Sequence, residues 1–158
     1  MKNTMRTWRS YRRLERGDRR LARETAAALL STRIGLRVGG LRRSKELLVR
    51  LAPLRTAGAA AGLSGQPEME VARRLAAIQE AVSRHLPWRA SCLEKSLVLW
   101  WQLGRRGIAA EMRVGARKEA GRFEAHAWVE LGNVVLNDSG ETHMHFAPFD
   151  GAILTLGS

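Results

Sequence analysis

The spacing of apolar residues changes from a helical to a strand period partway along the chain. Five apolar or small residues recur every three or four positions and predict an amphipathic helix: Leu93, Leu97, Trp100, Trp101 and Gly104. After this helix, apolar and polar residues alternate. The alternation predicts strands with one face made of Met112, Val114 and Ala116, and then of Phe123, Ala125, Ala127, Val129 and Leu131. With a return strand that reaches Asp138, this half of the chain is predicted to be α+β, with helices against an antiparallel sheet.

Helical spacing also predicts the elements that precede this region. Between Pro67 and Pro87, the predicted buried stripe consists of Val71, Leu75, Ile78, Val82 and Leu86. The first third predicts two basic helices with N-caps at Asp18 and Ser44, interrupted by Gly35, Gly39 and Gly40. Residues 56–67 are small, uncharged and rich in glycine, which is typical of a linker. We therefore expect a basic helical segment at 1–55, a linker at 56–67 and a core at 68–158.

The net charge of +12 is concentrated in the first third of the chain. Residues 1–55 carry 16 of the 27 Lys and Arg but only 4 of the 15 Asp and Glu. Such a segment suits an acidic membrane surface, an acidic protein or peptide, or nucleic acid, and it is equally consistent with a solvated helical face. Its aromatic residues are limited to Trp8 and Tyr11, which offers little base stacking, so no nucleic-acid partner is expected.

Apolar runs and cysteine usage indicate the compartment. The longest apolar stretch, residues 26–38, is interrupted by Arg33 and Arg37, so no transmembrane segment is predicted and any membrane contact would be peripheral. The N-terminus lacks the apolar core of a signal peptide. The single cysteine excludes an intramolecular disulfide framework. We expect a soluble, cytoplasmic protein.

That single cysteine stands where the amphipathic helix is predicted to begin. Ser91 has the character of an N-cap and Glu94 follows three residues later, which is the capping-box spacing, so Cys92 would be the first helical residue. Gly107 is expected to end the helix in a left-handed conformation. Unpaired N–H groups and the helix dipole favour a thiolate at the helix start. The alternative is a buried structural cysteine.

Two later residues complete the parts of a thiol catalytic triad. His126 lies in the middle of a predicted strand, and Asp138 lies on the strand that pairs back. The thiolate would attack an acyl carbon, the imidazole would transfer the proton and the carboxylate would orient the ring. Regular pairing brings these two residues face to face only with a three-residue turn at 131–133, so we predict that turn or a β-bulge. A core histidine and a turn-capping aspartate are the structural alternatives.

Metal and nucleotide chemistry are weakly supported by the sequence. His143 and His145 suggest metal ligands, and Cys92, His126 and Asp138 could in principle ligate zinc. No close-spaced pair of cysteine and histidine supports a structural zinc site, and no glycine-rich phosphate loop follows a strand. We therefore expect no metal and no cofactor.

Several motifs together resemble one family. They are PWRASCL at 87–93, Arg106-Gly107, Arg113-Val114-Gly115 and FEAHAWVE at 123–130. Across roughly residues 68–138 the chain is similar to the stand-alone leader peptidases of lasso-peptide biosynthesis, members of the transglutaminase-like cysteine-protease superfamily. The resemblance implies basic N-terminal helices followed by a transglutaminase-like (papain-like) core. It also implies a nucleophile at Cys92, a base at His126 and an orienting acid at Asp138.

The resemblance further implies removal of the leader peptide from a ribosomally made precursor. Leader recognition in this family belongs to a small winged-helix protein, here expected to be a separate chain, and an ATP-dependent cyclase then closes the ring. The Cys92 N–H can supply one oxyanion donor. A papain-like glutamine six residues before the cysteine is absent, since Leu86 stands there. The candidates for the second donor or for substrate contacts are Trp88, Gln79, Arg89 and Trp128.

Two competing hypotheses stay open. An amide-forming acyl transferase or a deamidase would use the same triad and the same thioester, so only the products distinguish these enzymes from a peptidase. In the other hypothesis Cys92 is incidental, and the basic N-terminal helices bind nucleic acid or a membrane.

Overall fold

A computed structural model describes residues 16–51, 66–138 and 142–149 of the 158-residue chain. Three helices precede a sheet: α1 (Arg16–Leu51), α2 (Gln66–Ser83) and α3 (Cys92–Gly104). The strands are β1 (Glu111–Glu119), β2 (Arg122–Leu131), β3 (Val134–Val135) and β4 (Ala147–Pro148), with a 3₁₀ turn at Thr142–His145. All pairings in the four-stranded sheet are antiparallel and its order is β3-β2-β1-β4. The predicted α+β class is confirmed.

The first helix bends where glycine permits it. Gly40 has φ +69° and ψ −166°, so α1 consists of two helical segments, and Gly35 and Gly39 lie within the first of them. The prediction of two basic helices is thus close, but its caps are wrong. The helix begins before Asp18, which binds Arg74 of α2 instead, and Ser44 lies inside the second segment with its hydroxyl donating to the Gly40 carbonyl.

Helix α1 contributes to the same core as the helices that follow. Ala28, Leu29 and Leu48 are buried in one cluster with α2 and α3. A buried hydrogen bond of 2.8 Å from Gln102 Nε2 to Thr25 Oγ1 joins α1 to α3. The predicted linker lies almost wholly outside the described residues, so the domain division stays a prediction.

The buried face of α2 is displaced from the predicted stripe. Leu75 is buried as expected, but Val71 is exposed, and Ile78, Val82 and Leu86 are only partly buried. The inward positions are Ala72, Leu75, Ala76, Gln79 and Ser83. Small side chains allow α2 to approach both neighbouring helices closely, which the hydrophobicity of single residues does not indicate.

The sheet packs one face against α3. Met112 of β1 and Ala127 and Val129 of β2 are in the core cluster, as the alternation predicted. Phe123 is instead 79% exposed, because it lies beside the Ala120-Gly121 turn at the tip of the β1–β2 hairpin. Both turn residues have positive φ, at 50° and 79°, which is the pattern of a type I′ turn. The far end of the hairpin therefore carries apolar residues that the core does not bury.

Candidate active site

The start of α3 has the geometry that its sequence predicts. Ser91 caps the helix, its hydroxyl accepts from the Glu94 N–H at 3.2 Å, and the Glu94 side chain accepts from the Ser91 N–H at 2.8 Å. Cys92 is the first helical residue and its side chain is partly buried. At the other end, Gly107 adopts φ +75°, as expected. The capping box thus places the only cysteine among the free N–H groups of the first helical turn.

His126 lies on β2 with its ring between two aromatic rings. Its ring stacks on Trp128 with centroids 6.0 Å apart and packs against Phe146 at 5.2 Å. The side chain is 17% exposed. The opposing residue in β1 is Gly115, where a Cβ would lie 2.9 Å from the Ala147 carbonyl oxygen and 3.0 Å from Phe146 Cβ. Glycine at this position allows Phe146 to approach the histidine.

Asp138 follows β3 and faces two histidines. Its Oδ1 lies 3.3 Å from His126 Nε2, and its Oδ2 accepts from the His143 backbone N–H at 2.5 Å and lies 2.8 Å from His143 Nδ1. The His126 contact is an ion-pair distance without hydrogen-bond alignment, since Nε2 is buried with no hydrogen-bond partner among the described residues. The sequence predicts the pairing of Asp138 with His126, whereas no motif indicates His143 as its partner.

The surroundings of Asp138 favour its ionised form. Burial on its own raises the pKa of this carboxyl group. The two hydrogen bonds from His143 and the electrostatic influence of His126 and His143 outweigh burial, so the pKa of Asp138 lies below its usual value. The carboxylate side chain is only 5% exposed. A charged acceptor is therefore kept beside His126.

The turn before Asp138 corrects the predicted register. Leu131 pairs with Val134 and Glu130 with Val135, so the turn is the two-residue Gly132-Asn133 and not the predicted three-residue turn. Gly132 has φ +60° and Asn133 does not have positive φ, which is the pattern of a type II′ turn. Continued regular pairing would direct Asp138 to the wrong face of the sheet.

The chain avoids that outcome by leaving the ladder after β3. Leu136 still donates to the Val129 carbonyl at 2.9 Å, but the Val129 N–H donates to the Asn137 side chain at 2.8 Å. A side-chain oxygen thus takes the place of a backbone carbonyl, and the next residue is released from the strand alternation. The hydrogen bond from Val129 to the Asn137 side chain, rather than an added bulge residue, brings Asp138 to His126.

Ser96 connects the three segments that carry the candidate triad. Its buried hydroxyl donates to the carbonyl of Ala127, the neighbour of His126, and accepts from the amide of Asn137, the neighbour of Asp138; both distances are 2.9 Å. Ser96 lies one helical turn after Cys92. The only signal of this role in the sequence is a polar residue on the apolar side of a helix.

The other candidate residues have different surroundings. Trp128 is buried beside His126 and donates from Nε1 to Glu130 at 2.7 Å. Gln79 is buried between α2 and α3, where its amide donates to the Lys95 carbonyl at 2.8 Å. Trp88 lies under the Arg33 guanidinium, which is 5.4 Å from the ring centroid. Arg89 is exposed.

A groove of about 490 Å³ lies beside the start of α3. Its lining includes Trp88, Arg89, Ala90 and Lys95. Glu80 of α2 and Arg84, which follows α2, also line it. Glu80 pairs with both Lys95 and Arg84, and Arg89 is exposed three residues before the helix start. The groove adjoins Cys92 in sequence and brings a candidate substrate-contact residue, Arg89, together with Trp88.

Within the part of the chain that the structure describes, no group of three or more Cys, His, Asp and Glu side chains could hold a metal ion. His143 binds Asp138, and His145 is exposed. No helix among the described ranges combines the length and apolar character that crossing a bilayer requires.

The chain belongs to the transglutaminase-like superfamily, whose family model matches residues 28–149. The match begins inside α1 and spans Cys92, His126 and Asp138. Comparisons with curated proteins and with solved structures gave no match.

Proposed function

We propose that this protein is a cysteine endopeptidase that removes the leader peptide from a ribosomally synthesised lasso-peptide precursor. The single observation that carries the enzymatic part is the contact of His126 Nε2 with Asp138 Oδ1 at 3.3 Å, on segments hydrogen-bonded through Ser96 to the helix that begins at Cys92. Membership of the transglutaminase-like superfamily supports thiol chemistry. The motifs around Cys92 and His126 support the choice of substrate.

The proposed roles start from the contact of His126 with Asp138. Because Nε2 of His126 faces Asp138, Nδ1 is the nitrogen that would take the Cys92 proton. The thiolate would attack the carbonyl carbon at the leader–core junction, and the Cys92 N–H would stabilise the oxyanion. His126 would return the proton to the leaving amine, and water would hydrolyse the thioester to release the leader as a free acid.

The groove beside α3 suits a peptide substrate. It combines an aromatic side chain, Trp88, with an exposed cation, Arg89, immediately before the nucleophile. We propose that a separate winged-helix protein presents the leader to this groove and that the ATP-dependent cyclase receives the freed core. The basic residues of α1 are candidates for docking either protein.

Mass spectrometry of a precursor peptide incubated with the winged-helix partner tests the proposal. The native protein should cut at the leader–core junction, and Cys92→Ala should not. His145→Ala is a matched control, because His145 is exposed and should be dispensable. Equal cutting by the native protein and Cys92→Ala would contradict the triad. An amide in place of the free leader acid would assign acyl transfer instead of hydrolysis.

A further inference from the structure

The carboxylate of Asp138 has a stronger contact with His143 than with His126. Both donors of His143, its backbone N–H at 2.5 Å and its ring Nδ1 at 2.8 Å, converge on Oδ2. Among the described residues, Oδ1 contacts the unaligned ring of His126 at 3.3 Å. The position of the carboxylate is therefore set from the His143 side.

A buried carboxylate needs such an anchor. The Asp138 side chain is 5% exposed, and a buried charge is costly unless it is hydrogen-bonded. Donors on Oδ2 satisfy that oxygen and fix the rotation of the carboxylate, so Oδ1 is the oxygen presented to His126. Without the ring of His143, one oxygen would keep only a backbone donor and the group could turn away from His126.

The bond from His143 persists in both charge states of its ring. A carboxylate only accepts, so Nδ1 carries a proton whether the ring is neutral or cationic. In the described ranges, the ring of His143 contacts Asp138 and Trp128, whose ring centroid is 6.0 Å away. The ring of His143 can therefore donate to Asp138 in either charge state.

The same short segment also contacts His126. The Phe146 N–H donates to the His143 carbonyl at 3.1 Å, and the Phe146 ring packs on His126 at 5.2 Å. The 3₁₀ turn at Thr142–His145 thus positions the acid through His143 and the histidine through the residue that follows the turn.

We propose that His143 is a positioning residue of the active site, which holds Asp138 so that Oδ1 faces His126. This inference rests on the proposed thiol chemistry and extends it to a residue outside the triad. His143→Ala removes the ring donor. His143→Asn is the conservative variant, because its side-chain amide nitrogen can occupy the position of Nδ1.

The first measurement is the rate of Cys92 alkylation by iodoacetamide as a function of pH, which needs no peptide substrate. An imidazolium that loses its oriented carboxylate stabilises the thiolate less. The pH of half-maximal alkylation should therefore rise in His143→Ala and remain near the native value in His143→Asn and in the control His145→Ala. Thermal unfolding of each variant identifies any loss of folded protein.

Peptide cleavage supplies the second readout. We expect kcat of His143→Ala to fall about 10- to 100-fold with little change in KM, which matches the loss of a hydrogen bond to a charged group. A folded His143→Ala with native alkylation and native kcat would overturn the proposal. If the pH profile of Cys92 alkylation is the same in the native protein and in His126→Ala, both the triad and this inference are overturned. A profile that shifts in His143→Ala and is rescued in His143→Asn supports the inference even if no precursor is cut.

Discussion

The start of α3 and the segment after β3 each supply a residue of the proposed triad, but different contacts hold them. Cys92 is positioned by Ser91 and Glu94, which lie within two residues of it in sequence. Asp138 is positioned by its neighbour Asn137, which bonds to β2 and α3, and by His143, five residues further along the chain.

Because the contacts differ, substitutions in the two regions should affect stability and activity differently. A local cap makes an independent contribution to a helix, so its loss should lower stability without moving remote groups. Buried hydrogen bonds between segments fix geometry, so their loss should reduce catalysis as well as stability. Five substitutions or conditions test the comparison.

The largest effect is expected for Asp138→Asn. The amide cannot stabilise the imidazolium of His126, so we expect kcat to fall by about 10³- to 10⁴-fold. Kinetics of precursor cleavage measure this, and Asp138→Glu indicates how far geometry matters once the charge is kept. A kcat within a few-fold of native would show that Asp138 does not act through His126.

Asn137→Ala should affect both stability and activity. It leaves the Val129 N–H without its acceptor, which costs about 1–3 kcal/mol for a buried donor. It also removes the donor to Ser96, so the segment carrying Asp138 loses its link to α3. The midpoint of unfolding in urea and the rate of cleavage should both fall. Asn133→Ala, in the exposed turn, should change neither quantity.

Gly115→Ala tests how closely Phe146 and Ala147 pack over His126. The added methyl would lie 2.9 Å from the Ala147 carbonyl oxygen, which belongs to the backbone and cannot rotate away. We expect a loss of about 1–3 kcal/mol from overpacking, together with reduced activity as Phe146 shifts. Gly17→Ala is the control, because nothing lies within 4 Å of its added Cβ. Equal stability of the two variants in urea would indicate that Phe146 and Ala147 are loosely packed against β1.

Ser91→Ala should destabilise the protein by about 1 kcal/mol through loss of the helix cap. Because the cap is local, kcat of the folded fraction should remain within a few-fold of native. Ser91→Asp still provides an N-cap acceptor and should restore the denaturation midpoint. A loss of kcat as large as that of Asn137→Ala would remove the distinction between the two regions.

The smallest effect concerns acid stability. The pKa of Asp138 is lower in the folded protein than its usual value, so its ionised form stabilises the fold. That contribution is fully present above the unfolded pKa of about 3.9 and is lost as the pH falls through the folded pKa. The stability difference between native protein and Asp138→Asn should therefore be larger at neutral pH than in strong acid. A difference independent of pH would contradict the assigned shift.

The predicted features that the structure confirms are mostly local in sequence. The N-cap at Ser91, the first helical position of Cys92 and the left-handed Gly107 depend on residues within a few positions of each other. The alternation that places Ala127 and Val129 in the core needs only a period of two. The wrong helix caps at Asp18 and Ser44 show the limit of this reasoning, because cap residues also have other roles inside helices.

The sequence by itself determined the α+β class and the helix that begins at Cys92. It also identified His126 and Asp138 as candidate residues of the triad. Only the tertiary structure decided how Asp138 reaches His126, since the two-residue turn at Gly132 requires Asn137 to interrupt the ladder. It also decided the roles of Ser96, His143 and Gly115, whose partners are distant in sequence or in segments without periodicity. Periodicity reports which face a residue occupies, whereas hydrogen bonds between segments depend on packing that no single segment encodes.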